Sequence, residues 1–253
     1  MNRLSRFLIT LTLTIGFTAG ASGLEKVELK LDNAMAPVRG FDNNDNVQVV
    51  VKGNLPNACY ELAEATFERN DAGRVITIHQ FANHKVDGIC ANSENLPAYL
   101  QMVIPFTNEV SVGVLNAGDY KFEFKKYTNE NVFRPFFVSV ASSPSIDSLP
   151  YAATTSAIIK DVVTTQENVM VRLSGVLNSS CTELDDVVRV EKLDDVFVIL
   201  PTIKVDSSVM CLQMLRPFEK IISLGKISKE GQYLMHIRTM RGGAVNHIFE
   251  VTQ

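Results

Sequence analysis

The sequence predicts an all-β protein made of two tandem β-sandwich domains. Three observations carry this. Short runs rich in Val, Ile, Phe and Thr alternate with polar residues at a period of two, the signature of half-buried strands. Turn signals separate them: NDAG (70–73), LNAGD (115–119), SKEGQ (228–232) and RGG (241–243). One stretch occurs twice, as GNLPNACYEL at 53–62 and GVLNSSCTEL at 175–184.

The first residues stand apart from this pattern. MNRLSRFLITLTLTIGFTAGASG has Arg3 and Arg6, an apolar run from Phe7 to Phe17, and then Ala19-Gly20-Ala21. A positive start, a short apolar centre and a small-residue site describe a secretory signal peptide over 1–21. The apolar run is shorter than the roughly 20 residues that cross a bilayer with ease. No other stretch is apolar enough to cross one, so no membrane contact is expected after cleavage.

The repeat can be followed strand by strand. LEKVELKL (24–31) and SAIIKDVV (156–163) would open the two copies. NVQVVVK (46–52) and NVMVRLS (168–174) precede the repeated stretch. EATFERN (64–70) and RVITIHQF (74–81) then match DDVVRVEK (185–192) and VFVILPTI (196–203). QMVIPF (101–106) matches QMLRPF (213–218), and EVSVGVLNAGDYKFEF (109–124) matches EKIISLGKISKEGQYLMHI (219–237). NVFRPFFVSV (131–140) and AVNHIFEV (244–251) close the copies. About seven strands are expected in each. The domains are placed at 24–140 and 154–253. The linker at 141–153 is rich in Ser, Pro and Ala, a composition suited to an exposed, semi-extended segment.

Four cysteines allow three pairings. Cys59 and Cys90 are 31 positions apart, and Cys181 and Cys211 are 30 apart. A self-contained repeat therefore pairs Cys59 with Cys90 and Cys181 with Cys211. Each first cysteine falls in a turn, so each bridge is expected to fasten loops rather than the two sheets. The copies differ between the second cysteine and the following Gln-Met: the first copy carries nine extra residues within ANSENLPAYL (91–100). Leu96, Pro97, Tyr99 and Leu100 form an apolar and aromatic set there. That set is read either as a cap on its own sandwich or as a partner-binding loop.

The pattern G-x-L-P-x-x-C-x-E-L, a later Cys, then P-F, L-G and G-x-Y resembles a small β-sandwich repeat of uncharacterised exported bacterial proteins. The second copy departs from it at Asn178, where the proline would stand. The resemblance implies fold and compartment, and no activity. The likeness to immunoglobulin domains (the sense in which the sandwiches are Ig-like) is architectural, since the chain has no Trp to pack on a core disulfide.

Chemistry-bearing residues are few. A formal charge of -4 gives no basic footprint for nucleic acid. His79 and His84 are separated by an odd number, so a continued strand turns them to opposite faces, away from a shared metal. His236 aligns with Glu123, and His247 stands alone. Met210, Met214, Met235 and Met240 raise a copper reading, but Met102 and Met214 are matching positions, which suggests a core slot. The loop GFDNNDN (40–46) offers oxygen ligands for calcium without an EF-hand's glycine and terminal glutamate. Asp185-Asp186 and Asp194-Asp195 are read as solvated acids. No nucleophile elbow, zinc-protease or phosphate-loop motif occurs.

The expectation is an exported, non-enzymatic binding or structural protein of the cell envelope, periplasmic or secreted. It has no cofactor, no metal, no catalytic residue and no nucleic-acid partner. Its partner would be an envelope or extracellular protein met by loops or edge strands. The alternatives are a periplasmic small-ligand or metal-binding protein, and a hydrolase with an unrecognised motif.

Overall fold

A computed structural model describes residues 23–91 and 96–253. The signal-peptide expectation lies outside the described residues, as does the stretch 92–95 of the insertion.

Among the described residues the first half holds nine strands: β1 (Leu24–Leu29), β2 (Leu31–Met35), β3 (Phe41–Asp42), β4 (Val47–Leu55), β5 (Tyr60–Asn70), β6 (Val75–Lys85), β7 (Ile104–Gly113), β8 (Gly118–Lys125) and β9 (Asn131–Ser139). The second holds ten: β10 (Ala153–Ile158), β11 (Val162–Thr164), β12 (Val169–Ser179), β13 (Thr182–Leu184), β14 (Arg189–Leu193), β15 (Val196–Leu200), β16 (Ile203–Val205), β17 (Gln213–Gly225), β18 (Gly231–Arg238) and β19 (Ala244–Thr252). Helix is limited to single 3-10 turns at Gly88–Ala91 and Ala98–Leu100 among the described residues.

The opening strand expected at 24–31 splits at Lys30. β1 joins β6 in one sheet and β2 joins β4 in the other. The expected strand at 156–163 also divides between two sheets but in the opposite order, β10 joining β12 in the three-stranded sheet and β11 joining β19 in the five-stranded one. The expected seven strands per copy rise to nine and ten because long runs break. Pro201 ends β15, since proline cannot donate to a ladder, and the chain resumes as β16 against β13. In the first copy the same bend is a register shift between Leu62 and Ala65, so β5 stays one strand.

The two halves share one plan. A small sheet runs β2-β4-β7 in the first and β10-β12-β17 in the second. The large sheets run β1-β6-β8-β9-β3, with β5 beside β6, and β11-β19-β18-β15-β14. Each large sheet contains parallel pairs at equivalent places: β6 with β8 and β15 with β18, then β3 with β9 and β11 with β19. These are β-sandwiches, with mixed rather than wholly antiparallel large sheets.

Alternation fills each core. Ile76, Ile78, Phe122, Phe124 and Phe136 meet Val47, Val49, Val51 and Phe106 in the first. Phe197, Ile199, Tyr233, Met235 and Phe249 meet Val169, Val171, Leu173 and Ile222 in the second. Two shared glycines of the repeat have a direct cause. Gly53 faces Phe106 across the ladder and Gly175 faces Phe218. A Cβ on Gly53 would come within 2.8 Å of the Phe106 ring, and one on Gly175 within 2.7 Å of Phe218. Gly113 and Gly225 end β7 and β17 at φ 85° and 79°, where L side chains are disfavoured.

A third core joins the halves. Met35 and Val50 from the small sheet of the first sandwich pack against Val196, Val198, Leu200, Leu234 and Ile248 from the large sheet of the second, with Tyr151 of the linker. The molecule is therefore a stack of four main sheets. The two central sheets are covered on both faces, which explains why β4 and β15 carry unbroken apolar runs.

Candidate functional site

The interface between the sandwiches holds the most constrained polar groups. Arg238 Nη2 donates to Asp45 Oδ1 at 2.8 Å, with side chains 5% and 2% exposed. Arg238 also lies over the Tyr151 ring, 5.6 Å from its centre. Burial works against the guanidinium charge, but the hydrogen bond and charge of Asp45 outweigh it, and its pKa is raised. Beside the pair, His236 Nδ1 donates to Asn246 Oδ1 at 2.8 Å. Asn246 Nδ2 donates to Glu109 Oε2 at 2.6 Å, and Glu109 Oε1 accepts from Gln48 Nε2 at 2.7 Å. The amide bond to a carboxylate sets the Asn246 orientation, which in turn places the proton on His236 Nδ1. Burial pushes His236 down to about 4, Asn246 opposes this, and Arg238 adds to it. Arg134 to Asp195 and Asn33 to Gln232 are further bonds across the interface.

The loop weighed as a calcium site belongs to this clasp. Asp45 Oδ2 accepts from the Asp42 amide. Asn43 accepts from the Ala141 amide, and Asn44 donates to the Ser143 and Ser145 carbonyls. Asn46 accepts from Ser111 and from the Gly113 amide. Four of its Asx side chains thus fasten the loop, the linker and the second sandwich. The linker is exposed over most of its length. Asp147 anchors it by accepting from the Arg241 and Gly242 amides, and Tyr151 and Ala152 anchor it by burial.

The cysteines lie at matching places. Cys59 is joined to Cys90 and Cys181 to Cys211, with Cα atoms 5.7 and 5.4 Å apart. Each bridge links the turn after the first long strand (β4, β12) to the segment before the edge strand (β7, β17). The surrounding backbone bonds repeat as well: Ala58 to Leu100 and Ser180 to Leu212, then Lys85 to Cys59 and Asp206 to Cys181. The insertion packs here. Leu96 is buried with both sulfurs of the first bridge, and Leu100 leans on them. Pro97 is half-buried, while Tyr99 stands 70% exposed. The four insert residues thus divide between a cover for the bridge and an outward aromatic.

Met102 and Met214 correct an expectation. Both are exposed, at 63% and 45%, so the slot they share is a surface one. Each starts the segment entering an edge strand, whose first residues have no sandwich layer over them. Val103 and Leu215 follow them outward, with Met210 and Leu212 beside the second pair.

His79 pairs with Glu28, and His84 stacks on Tyr60 with ring centres 4.4 Å apart. His247 lies 3.2 Å from Asp161. Among the described residues, no three of His, Cys, Asp and Glu gather as a metal-holding group. Met235 is inside the second core. Of the paired acids, Asp195 meets Arg134 and Asp185 meets Thr202 and Lys204. A cleft of about 910 Å³ opens between the sandwiches, lined by Asp32, Lys126, Arg134, Lys192, Lys229 and Glu230 among others.

The family model described as the ORF11 beta-sandwich domain matches residues 49–136 and again 171–251. The chain belongs to that family. Its two ORF11 beta-sandwich segments run from β4 to β9 and from β12 to β19, so each match begins inside the strand that precedes the cysteine turn. No curated protein and no solved structure matches the chain. No helix among the described residues is long and apolar enough to cross a membrane.

The interface was the feature that reading by alternation missed. Its signal lay in VVV (49–51), VFVIL (196–200) and YLM (233–235), unbroken apolar runs that mark strands covered on both faces.

Proposed function

We propose that this protein is an exported, non-enzymatic binding or structural protein of the cell envelope. It engages a protein partner through the cysteine-turn ends of its sandwiches. The observation that supports this reading is a duplicated one. Both copies present an outward apolar pair, Met102-Val103 and Met214-Leu215, at the entry to an edge strand. Exposed apolar side chains grouped in one place mark contact surfaces more often than scattered ones do. β7 and β17 are open edges, and each carries a proline near its start, Pro105 and Pro217. Proline blunts strand addition, so recognition runs through side chains and loops. The two disulfides are compatible with an oxidising compartment, periplasmic or extracellular.

The test is a pull-down from the native envelope fraction with the wild type, a Met102→Lys/Val103→Lys variant and a Met214→Lys/Leu215→Lys variant. Loss of the same recovered protein from one or both variants, with unchanged melting, is the expected result. Recovery unaffected by either variant removes this reading.

The cleft between the sandwiches favours a second reading, a small-ligand protein. Its walls mix Lys126, Arg134, Lys192 and Lys229 with Asp32, Asp194, Asp195 and Glu230, a lining suited to a small polar ligand that carries both signs of charge. A thermal-shift screen of small zwitterions, carboxylates and phosphates, repeated on Lys126→Ala, separates it from the first.

A further inference from the structure

The two disulfides sit in equivalent backbone but under different cover. Cys59 and Cys90 are 0% and 8% exposed and share a small apolar cluster with Leu96 and Leu100. The second copy has no insertion. Its equivalent of Leu100 is Leu212, which keeps the backbone bond to Ser180 but turns its side chain outward. Cys211 is consequently exposed while Cys181 is buried, and the segment from Asp206 to Leu212 is exposed throughout. Val209, Met210 and Leu212 stand out around the sulfur, Met210 at 92%.

We infer that Cys181–Cys211 is a thiol-exchange site whose co-reactant is a dithiol, with Cys211 Sγ the sulfur attacked. Thiol exchange needs an incoming thiolate to reach one sulfur in line with the other, so access decides which bridge reacts. Attack on Cys211 forms a mixed disulfide and breaks the Cys181–Cys211 bond. The electron pair leaves on Cys181, which then takes up a proton. Ser180 Oγ lies 3.8 Å from Cys181 Sγ and donates toward the departing thiolate. The second thiolate of the dithiol attacks its own sulfur in the mixed disulfide and releases Cys211. The dithiol ends as a disulfide, and the protein bridge ends as two thiols. The apolar side chains around Cys211 give a protein dithiol a surface to grip. Leu96 and Leu100 in the first copy are the side chains that withhold the same chemistry from Cys59–Cys90.

The experiment uses the oxidised, folded protein with graded dithiothreitol. Alkylation with N-ethylmaleimide quenches the reaction, and peptide masses report each cysteine. Cys181 and Cys211 are expected to label on the order of tenfold faster than Cys59 and Cys90. Equal rates, the reverse order, or no labelling of either pair while the fold is intact would overturn the assignment. A Leu96→Ser variant tests the cover. Its Cys59–Cys90 rate is expected to approach that of Cys181–Cys211, and an unchanged difference would overturn the insertion's role as a shield.

Discussion

Asp45 and Arg238 are 193 positions apart and form one buried ion pair between the two sandwiches. Removing one partner of such a pair leaves the other charge buried and uncompensated, a loss of about 3–5 kcal/mol. Asp45→Asn keeps an acceptor for the Asp42 amide but turns an NH2 donor toward Arg238, so it removes both the charge and the hydrogen bond of the pair. It is expected to lower the urea midpoint strongly. In calorimetry it should separate one transition into two, because each sandwich retains its own core while the third core loosens. A midpoint within error of wild type would mean that the pair does not hold the sandwiches together. Separate halves, 24–140 and 154–253, are expected to melt cooperatively but lower than the whole, since each would expose its share of the Met35–Val198 face.

His236 makes the interface sensitive to acid. Its folded value, about 4, lies below the ordinary 6.5 because burial disfavours the cation. The unfolded chain therefore binds more protons between those values, and stability rises with pH through that window. The contribution is complete above about pH 6.5 and falls away as pH approaches 4, a total of about 3 kcal/mol. Asp42 acts with the opposite sign from about pH 3.8 upward, its carboxyl raised by burial and by Asp45, with Arg238 opposing. Urea unfolding of wild type and His236→Gln between pH 7.5 and 4.5 is the check. The variant should show a flatter dependence, and parallel curves would remove His236 as the cause.

Parts of this architecture were legible in the sequence and parts were not, for physical reasons. Phe122 and Phe124, or Ile76 and Ile78, announce an inward face by alternation alone. The cysteine pairing follows from the repeat because each copy closes on itself. The Asp45–Arg238 contact leaves no local pattern, since its partners lie in different copies. Asp45 reads instead as a member of an Asx-rich turn, which it also is. Met102 and Met214 show a different limit. Matching positions in a duplication share an environment, and for these two methionines that environment is the surface.

The two glycines of the repeat should not be equally sensitive. Around Gly175 the Ala153 carbonyl, a backbone atom, blocks a Cβ together with Phe218. Around Gly53 the close atoms belong to the Phe106 ring, and the nearest backbone oxygen, of Lys30, is 3.4 Å away. A side chain can shift where a ladder cannot. Gly175→Ala is expected to cost about 2–3 kcal/mol and Gly53→Ala about 1 kcal/mol. Urea midpoints measured side by side decide it, and a larger loss at Gly53 would contradict this difference in packing.

The insertion offers two roles that one pair of variants separates. Deleting residues 91–99 and rejoining the chain on the shorter plan of the second copy removes Leu96 from the Cys59–Cys90 cluster. Lost burial in a small cluster, on the order of 1 kcal/mol, lowers the melting temperature of a cooperative unit this size by about 2–4 °C. Tyr99→Ala, by contrast, trims an exposed ring and should leave the melt within about 0.5 kcal/mol of wild type. Among the described residues of the insertion, Tyr99 is the large side chain that a partner would meet, because Leu96 is turned inward. A cap alone therefore gives a lower melt on deletion and unaltered envelope recovery with Tyr99→Ala. A binding role adds loss of a recovered protein with Tyr99→Ala at full stability. If deletion leaves the melt unchanged and Tyr99→Ala leaves recovery unchanged, the insertion performs neither role.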